Sequence, residues 1–190
     1  MGRPKFSLPF GSVTMLERVV ELLRTVVSPV AVVAAAGQQL PTLPSDVLTA
    51  NDETDDPGPL GGLCVGLSLL RPRVQAAYVT ACDAPLLRPE FVRRMIGSLG
   101  AHELAIPRDG EHYQPLAAVY RTSLEDNVRN LIAQNRMRPF FLVKQSDANV
   151  IDVDDLRDID PELDSLRNTN TPEEYTRALR DAGFDTPIDS

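Results

Sequence analysis

The sequence has little basic charge. It carries 19 Lys and Arg residues against 27 Asp and Glu, which gives a formal net charge of -8. A long nucleic-acid partner is therefore not expected, because such partners are usually bound by a basic face. A small anionic ligand is compatible with this charge, since a few well-placed donors hold such a ligand locally.

Residues that commonly bind zinc are also scarce. The two cysteines, Cys64 and Cys82, lie in apolar stretches, whereas His102 and His112 lie in unrelated polar segments. This spacing predicts no zinc site. We expect both cysteines to pack as small hydrophobic residues.

No apolar run is long enough to cross a membrane. The longest, VVSPVAVVAAAG, is interrupted by Pro29 and is shorter than the roughly 20 residues that a membrane span requires. The N-terminal stretch MGRPKFS lacks an apolar signal segment, and Phe6 stands where a myristoylation motif needs Ser or Thr. The sequence therefore predicts a cytoplasmic protein without a membrane partner.

Hydrophobic periodicity predicts a chain in which strands and helices alternate. With 190 residues and 43% hydrophobic content, one domain spanning residues 1–190 is the expected organisation. Helices are predicted at 13–26, 63–70, 89–99, 123–134 and 172–182, with a short helix interrupted at Pro139. Strands are predicted at 30–33, 46–49, 76–81, 103–106, 116–120 and 149–154. This order is typical of an α/β fold with a mostly parallel sheet covered by helices on both faces.

Two helices carry clear start signals. Thr14 and Glu17 are spaced as a capping box, and so are Thr171 and Glu174, with Pro172 at the first helical position between them. We therefore expect the first and last helices to begin at these residues.

A glycine-rich turn precedes the predicted helix at 63–70. The segment PGPLGGL, residues 57–63, follows an acidic run that begins at Asp52. Its glycines would let a ligand approach the backbone near the positive end of the following helix. Close helix packing explains the same glycines, and a solvated loop explains the acidic run.

The stretch TACDAPLL places Asp83 two residues after the predicted strand 76–81. Ligands of open α/β sheets bind beyond the carboxyl ends of the strands, so Asp83 is a candidate ligand for Mg²⁺. Its alternative role is to form the turn with Pro85. Lys5, taken alone, is expected to be a solvated surface lysine.

Five segments in the correct order resemble one family. They are MGRPK at the start, PGPLGGL at 57–63, YVTACDAPLL at 78–87, QPLAAVY at 114–120 and NTNTPEEY at 168–175. Together they resemble the molybdenum cofactor guanylyltransferases, a branch of the nucleotidyltransferases with a Rossmann-like mixed sheet. The resemblance implies an enzyme that uses Mg²⁺ to transfer GMP from GTP to the terminal phosphate of molybdopterin, releasing pyrophosphate.

The resemblance also implies roles for individual residues. Lys5 matches the lysine that contacts the nucleotide phosphates, and Asp83 matches the carboxylate that binds Mg²⁺. Asp52 matches an acidic position near the nucleotide, although Asn51 takes that place if the loop is one residue longer.

Two asparagines match the family's Asn-x-Asn-Thr-Pro motif. Asn168 and Asn170 are therefore expected on the pterin side of the cleft. Other cofactor-assembly proteins are possible partners of such an enzyme.

The chain departs from the family at its start. Family members carry a strand and a glycine-rich loop, Leu-Ala-Gly-Gly-x-Ser-x-Arg, ahead of the stretch that here begins at Met1. The expectation is thus a domain that is N-terminally incomplete, because the loss of an interior strand leaves backbone groups unpaired. A start upstream of Met1, a degenerate paralogue and a rearrangement that closes the gap each explain this departure.

Two alternative functions follow. One is a related nucleotidyltransferase that uses CTP or a sugar phosphate. The other is a non-catalytic protein that holds the pterin or docks on cofactor-assembly proteins, because the glycine-rich loop is missing.

Overall fold

The computed structural model describes residues 4–52 and 58–184. Its strands are β1 (Pro9–Phe10), β2 (Val13–Thr14), β3 (Ala31–Ala35), β4 (Leu48–Asp52), β5 (Ala76–Thr80), β6 (Leu104–Asp109), β7 (His112–Tyr113), β8 (Ala117–Arg121) and β9 (Ala148–Asp152). Its helices are α1 (Met15–Arg24), α2 (Pro59–Leu70), α3 (Pro89–Leu99), α4 (Glu125–Ala133), α5 (Pro139–Gln145) and α6 (Pro172–Asp181).

The strands form a mixed sheet, a smaller parallel sheet and a short hairpin. In the five-stranded sheet β8 lies between β5 and β6 and runs antiparallel to both, while β9 pairs parallel to β6. Strands β5, β6 and β9 therefore point the same way, and β7 extends β6 as a short antiparallel ladder. Strands β3 and β4 pair in parallel, and β1 and β2 form the hairpin. This is the mixed α/β arrangement that the sequence predicts, with parallel pairing between β3 and β4 and between β6 and β9.

Helices cover both faces of the five-stranded sheet. On one face α1 and α3 pack around Phe91, and on the other α2, α4 and α5 pack around Leu60. Alternate residues of β8 pack into two different cores. Val119 lies in the first core, which contains Phe91, and Tyr120 lies in the second core, which contains Leu60. A third cluster packs α6 against β1 and the start of α1.

The strand ahead of Asp83 differs from its prediction. The sequence predicts a buried strand at 76–81, but β5 ends at Thr80 and all five of its residues are half-buried. Within residues 4–52 and 58–184, β5 pairs only with β8, so it lies at the edge of its sheet. Asp83 lies in a turn, three residues after the end of β5, which is one residue further from the strand end than predicted.

Helix α2 begins earlier than predicted. Gly58 is the N-cap and Pro59 takes the first turn, where its missing N–H costs nothing. Gly61 and Gly62 therefore lie inside the helix, so their predicted placement in a turn before it is wrong. The approach of a ligand to this segment stays a prediction. Pro139 likewise starts α5 and does not interrupt a helix.

Both predicted capping boxes are confirmed. The Thr14 hydroxyl accepts from the Glu17 N–H and Glu17 accepts from the Thr14 N–H, which starts α1. Thr171 and Glu174 make the same exchange at α6.

Both cysteines pack among apolar side chains. Cys64 is buried in the second core, and Cys82 packs half-buried against the first, as predicted. None of the helices in the described ranges is both long and apolar enough to reach across a bilayer.

Glu125 links the end of α2 to α4. Its side chain is only 9% exposed, accepts a hydrogen bond from Arg71 at 3.0 Å and forms an ion pair with Arg129. Hydrogen bonds from Arg129 and then from Arg71 lower the pKa of the Glu125 carboxyl. Asp126 also accepts from Arg71, but its side chain is 62% exposed.

Glu125→Gln is expected to lower the free energy of unfolding by about 1–2 kcal/mol at neutral pH, because two charge-assisted hydrogen bonds are weakened. The folded-state pKa lies below the unfolded value. The Glu125 carboxylate therefore contributes fully to the free energy of unfolding at pH values above the ordinary carboxyl pKa. This contribution is lost as the pH falls through the pKa of Glu125 in the folded state. Urea unfolding of wild type and variant, from neutral pH down to about pH 3, should show their difference shrinking.

Asp126→Asn is the matched control, because it removes the charge of an exposed carboxylate on the same Arg71. We expect a change of less than about 0.5 kcal/mol. Equal losses in the two variants would contradict the prediction.

Candidate functional site

Lys5 and Asp83 form an ion pair at the carboxyl end of β5. The Lys5 Nζ donates to Asp83 Oδ2 at 3.0 Å, and the two side chains are 38% and 13% exposed. Lys5 begins a short 3-10 turn whose next residue, Phe6, is buried in the core. The buried neighbour fixes the backbone of Lys5, so the ammonium group is held over the turn that carries Asp83.

Asn170 completes a three-residue cluster with this pair. Its Oδ1 accepts a hydrogen bond from Lys5 Nζ at 2.6 Å. The next residue back, Thr169, is buried, and its N–H donates to the backbone oxygen of Asp83 at 2.9 Å. The segment before α6 is therefore attached directly to the turn of Asp83, and it brings Asn170 to Lys5.

Two further contacts hold the turn. The Nε of Arg18, on α1, donates to the backbone oxygen of Pro85 at 2.7 Å. The Thr169 hydroxyl lies 3.3 Å from the Sδ of Met15, the first residue of α1. Helix α1 thus supports both chain segments that carry the cluster.

Residues Lys5, Asp83 and Asn170 are three of the five predicted site residues. Asp52 is the last residue of β4 and is half-buried. Asn168 is exposed. The acidic residues 53, 55 and 56 lie outside the described residues.

Thr169 is a structural member of the site that the sequence did not single out. It stands between the two asparagines of the motif, and its neighbours on both sides are exposed while it is buried. An extended segment sends alternate side chains to opposite sides, so the pattern Asn-Thr-Asn contained this signal.

The cluster can bind an anion next to a cation site. An ammonium group has three N–H donors, and in the described part of the chain Lys5 uses two of them, on Asp83 and Asn170. One donor is left for a phosphate oxygen. The Asp83 carboxylate supplies the negative charge that a hard cation prefers.

Two surface grooves lie elsewhere. One, of about 370 Å³, is lined by Arg24, Val30 and Asp46 among others. The second, of about 410 Å³, lies beside Ala50 and Cys64. Neither lining includes the cluster, so side-chain chemistry and not cavity size locates the candidate site.

Comparisons with known proteins agree with the fold and the motifs. The family described as "MobA-like NTP transferase domain" matches residues 1–149. A protein named probable molybdenum cofactor guanylyltransferase, from Mycobacterium tuberculosis H37Rv, is 40% identical over 155 residues, which cover 78% of this chain and 75% of that protein.

Two solved structures share the fold. Molybdopterin-guanine dinucleotide biosynthesis protein A from Archaeoglobus fulgidus superposes with a TM-score of 0.74 at 22% identity, covering 96% of this chain and 92% of that one. A protein from Mycobacterium tuberculosis H37Rv in complex with manganese has a TM-score of 0.60 at 16% identity, covering 94% and 93% of the two chains. At these identities the likeness shows the fold alone.

Proposed function

Because the chain belongs to the MobA-like NTP transferase domain family, we propose that it transfers GMP from GTP to the terminal phosphate of molybdopterin and releases pyrophosphate. The cluster of Lys5, Asp83 and Asn170 is the observation that carries this proposal. It lies at the end of β5, where ligands of open α/β sheets bind.

The reaction needs charge neutralisation more than it needs a protein nucleophile. An oxygen of the molybdopterin phosphate attacks the α-phosphorus of GTP. A new P–O bond forms, the bond to the bridging oxygen breaks, and its electron pair leaves with pyrophosphate. Two anions must approach each other, so positioned positive charge lowers the barrier.

Lys5 supplies that charge from the protein. Among residues 4–52 and 58–184 its third N–H has no acceptor and can donate to a phosphate oxygen, while Asp83 and Asn170 fix the direction of the ammonium group. A preorganised donor of this kind loses little by reorganisation during the reaction. The net charge of -8 is no obstacle, because only the local charge at the phosphates matters.

Asp83 is proposed to hold Mg²⁺. No group of three or more His, Cys, Asp and Glu residues gathers as a metal site in the described ranges. A single carboxylate fits Mg²⁺ nevertheless, because this ion typically takes one or two carboxylates together with substrate phosphates and waters. When bound, the ion would neutralise phosphate charge. The manganese found in a structure of the same fold supports a divalent ion.

Other assignments rest on the same resemblance. We place Asn170 and Asn168 toward the pterin and Asp52 toward the nucleotide. A single domain, a cytoplasmic location and docking on other cofactor-assembly proteins belong to the same proposal.

Purified protein given molybdopterin, Mg²⁺ and one nucleoside triphosphate at a time should release pyrophosphate. We expect GTP to react at least about tenfold faster than CTP or ATP, because a site built for one base leaves polar groups unpaired with another. Coupled detection of pyrophosphate measures the rate, and omission of molybdopterin is the control.

Two outcomes would overturn the proposal. Faster turnover with CTP would identify a different nucleotidyltransferase. A GTP-dependent thermal shift without any pyrophosphate release would identify a non-catalytic binding protein.

A further inference from the structure

Glu174 binds the segment that carries Asn170. Its Oε2 accepts two backbone hydrogen bonds, from the N–H of Thr171 at 3.0 Å and from the N–H of Asn170 at 2.7 Å. The first belongs to an ordinary capping box, in which the glutamate binds the N–H of the N-cap residue. The second fixes the residue before the cap.

The capping box of α1 lacks this additional role. There Glu17 Oε2 accepts from the N–H of Thr14, the cap residue itself, at 2.7 Å. Helix formation alone thus accounts for the contact of Glu17. It does not account for the shorter contact of Glu174 with Asn170.

A continuous chain of hydrogen bonds connects Glu174 to the ion pair. Glu174 holds the backbone of Asn170, the side chain of Asn170 accepts from Lys5, and Lys5 donates to Asp83. Asn170 itself is exposed, so little packing restrains its side chain. Without Glu174, the backbone N–H of Asn170 would turn to water and the amide oxygen would no longer be held toward Lys5.

We infer that Glu174 is a positioning residue for nucleotidyl transfer, acting through Asn170 to fix the direction of the Lys5 ammonium group. This inference rests on the proposed function. The hydrogen bond from Asn170 to Glu174 is an addition to the capping box, and formation of α6 does not require it.

Three variants test whether the hydrogen bonds of Glu174 affect the rate. We expect Glu174→Ala to lower kcat by about tenfold, because a small misplacement of a catalytic group is costly. Glu174→Gln should restore most of the rate, since its amide oxygen can accept both N–H groups. Glu173→Ala is the matched control, because it removes the neighbouring exposed carboxylate from the same first turn. We expect its rate to stay within about twofold of wild type.

A double variant tests the route through Asn170. If Glu174 acts through Asn170, then Asn170→Ala combined with Glu174→Ala should be no slower than Asn170→Ala alone. If Glu174→Ala instead lowered the rate only by disturbing the structure of α6, its effect on the rate would multiply with that of Asn170→Ala. Multiplying effects, or equal rates for Glu174→Ala and Glu173→Ala, would overturn the inference.

A measurement without turnover keeps this inference separate from the proposed function. The chain has two lysines, Lys5 and Lys144, so lysine labelled with ¹³C at Cε gives two NMR signals. Glu174→Ala should move the Lys5 signal and leave that of Lys144 in place, and Glu173→Ala should move neither. An unmoved Lys5 signal refutes the positioning role. A moved signal in a protein that releases no pyrophosphate refutes the proposed function instead.

Discussion

Asp83→Ala is expected to lower kcat for pyrophosphate release by about 10³-fold. A bound divalent ion stabilises a phosphoryl-transfer transition state by several kcal/mol, and each 1.36 kcal/mol corresponds to roughly a tenfold change in rate. Asp83 is the carboxylate that contacts Lys5 at the end of β5, and its side chain is only 13% exposed. The measurement is the single-turnover rate with GTP, molybdopterin and saturating Mg²⁺.

Asp83→Asn separates charge from shape. The amide keeps an oxygen that can accept from Lys5 but loses the negative charge that a cation needs. We therefore expect nearly the same loss of rate as for alanine, together with loss of the Mg²⁺-dependent part of the GTP thermal shift. Asp158→Asn is the control, since this carboxylate forms an ion pair with Arg94 and is 60% exposed. Full activity of Asp83→Asn would refute the metal assignment.

Lys5→Ala is expected to cost about 10²-fold in kcat, the size of effect seen when one preorganised donor to a transition-state anion is removed. The ammonium group contacts both Asp83 and Asn170, and its remaining N–H is the donor that we assign to phosphate. Lys5→Arg should recover only part of the rate. A guanidinium keeps the charge but presents its donors in a planar fork.

Lys144 provides a matched control, because it is the other lysine of the chain. Its Nζ lies 5.5 Å from the centroid of the Phe140 ring, on the short helix α5. Lys144→Ala should leave kcat within about twofold of wild type. A comparable loss in the two lysine variants would show that the rate follows overall charge and not the position of Lys5.

Local signals were enough to predict several elements. Helix α3 runs from Pro89 to Leu99 as the periodicity indicates, and Thr171 starts the last helix through its capping box. These features depend on residues within one turn of each other, so the sequence contains the whole of the signal. The mixed α/β fold followed from the alternation of such elements.

Features that depend on distant residues were harder to predict. The half-burial of β5 depends on which strands pair with it, and this is decided by the whole sheet. The sequence predicts Gly61 and Gly62 in a turn ahead of the helix, but α2 begins at Pro59 after the N-cap Gly58 and includes both glycines.

The candidate site shows the same division. The family resemblance singled out Lys5, Asp83 and Asn170 one by one, and the structure brings them into contact. Their individual functions stay predictions until the variants are measured. The hydrogen bond from Thr169 to the Asp83 backbone joins segments 86 positions apart, and no local pattern specifies such a pair.

The contact between Lys5 and Asn170 spans 165 positions of the chain. A nascent polypeptide leaving the ribosome therefore carries the lysine long before its asparagine partner has been synthesised. Closing so long a loop is slow compared with forming a helix. The contact between Lys5 and Asn170 can therefore form only after nearly all of the chain between them has been synthesised.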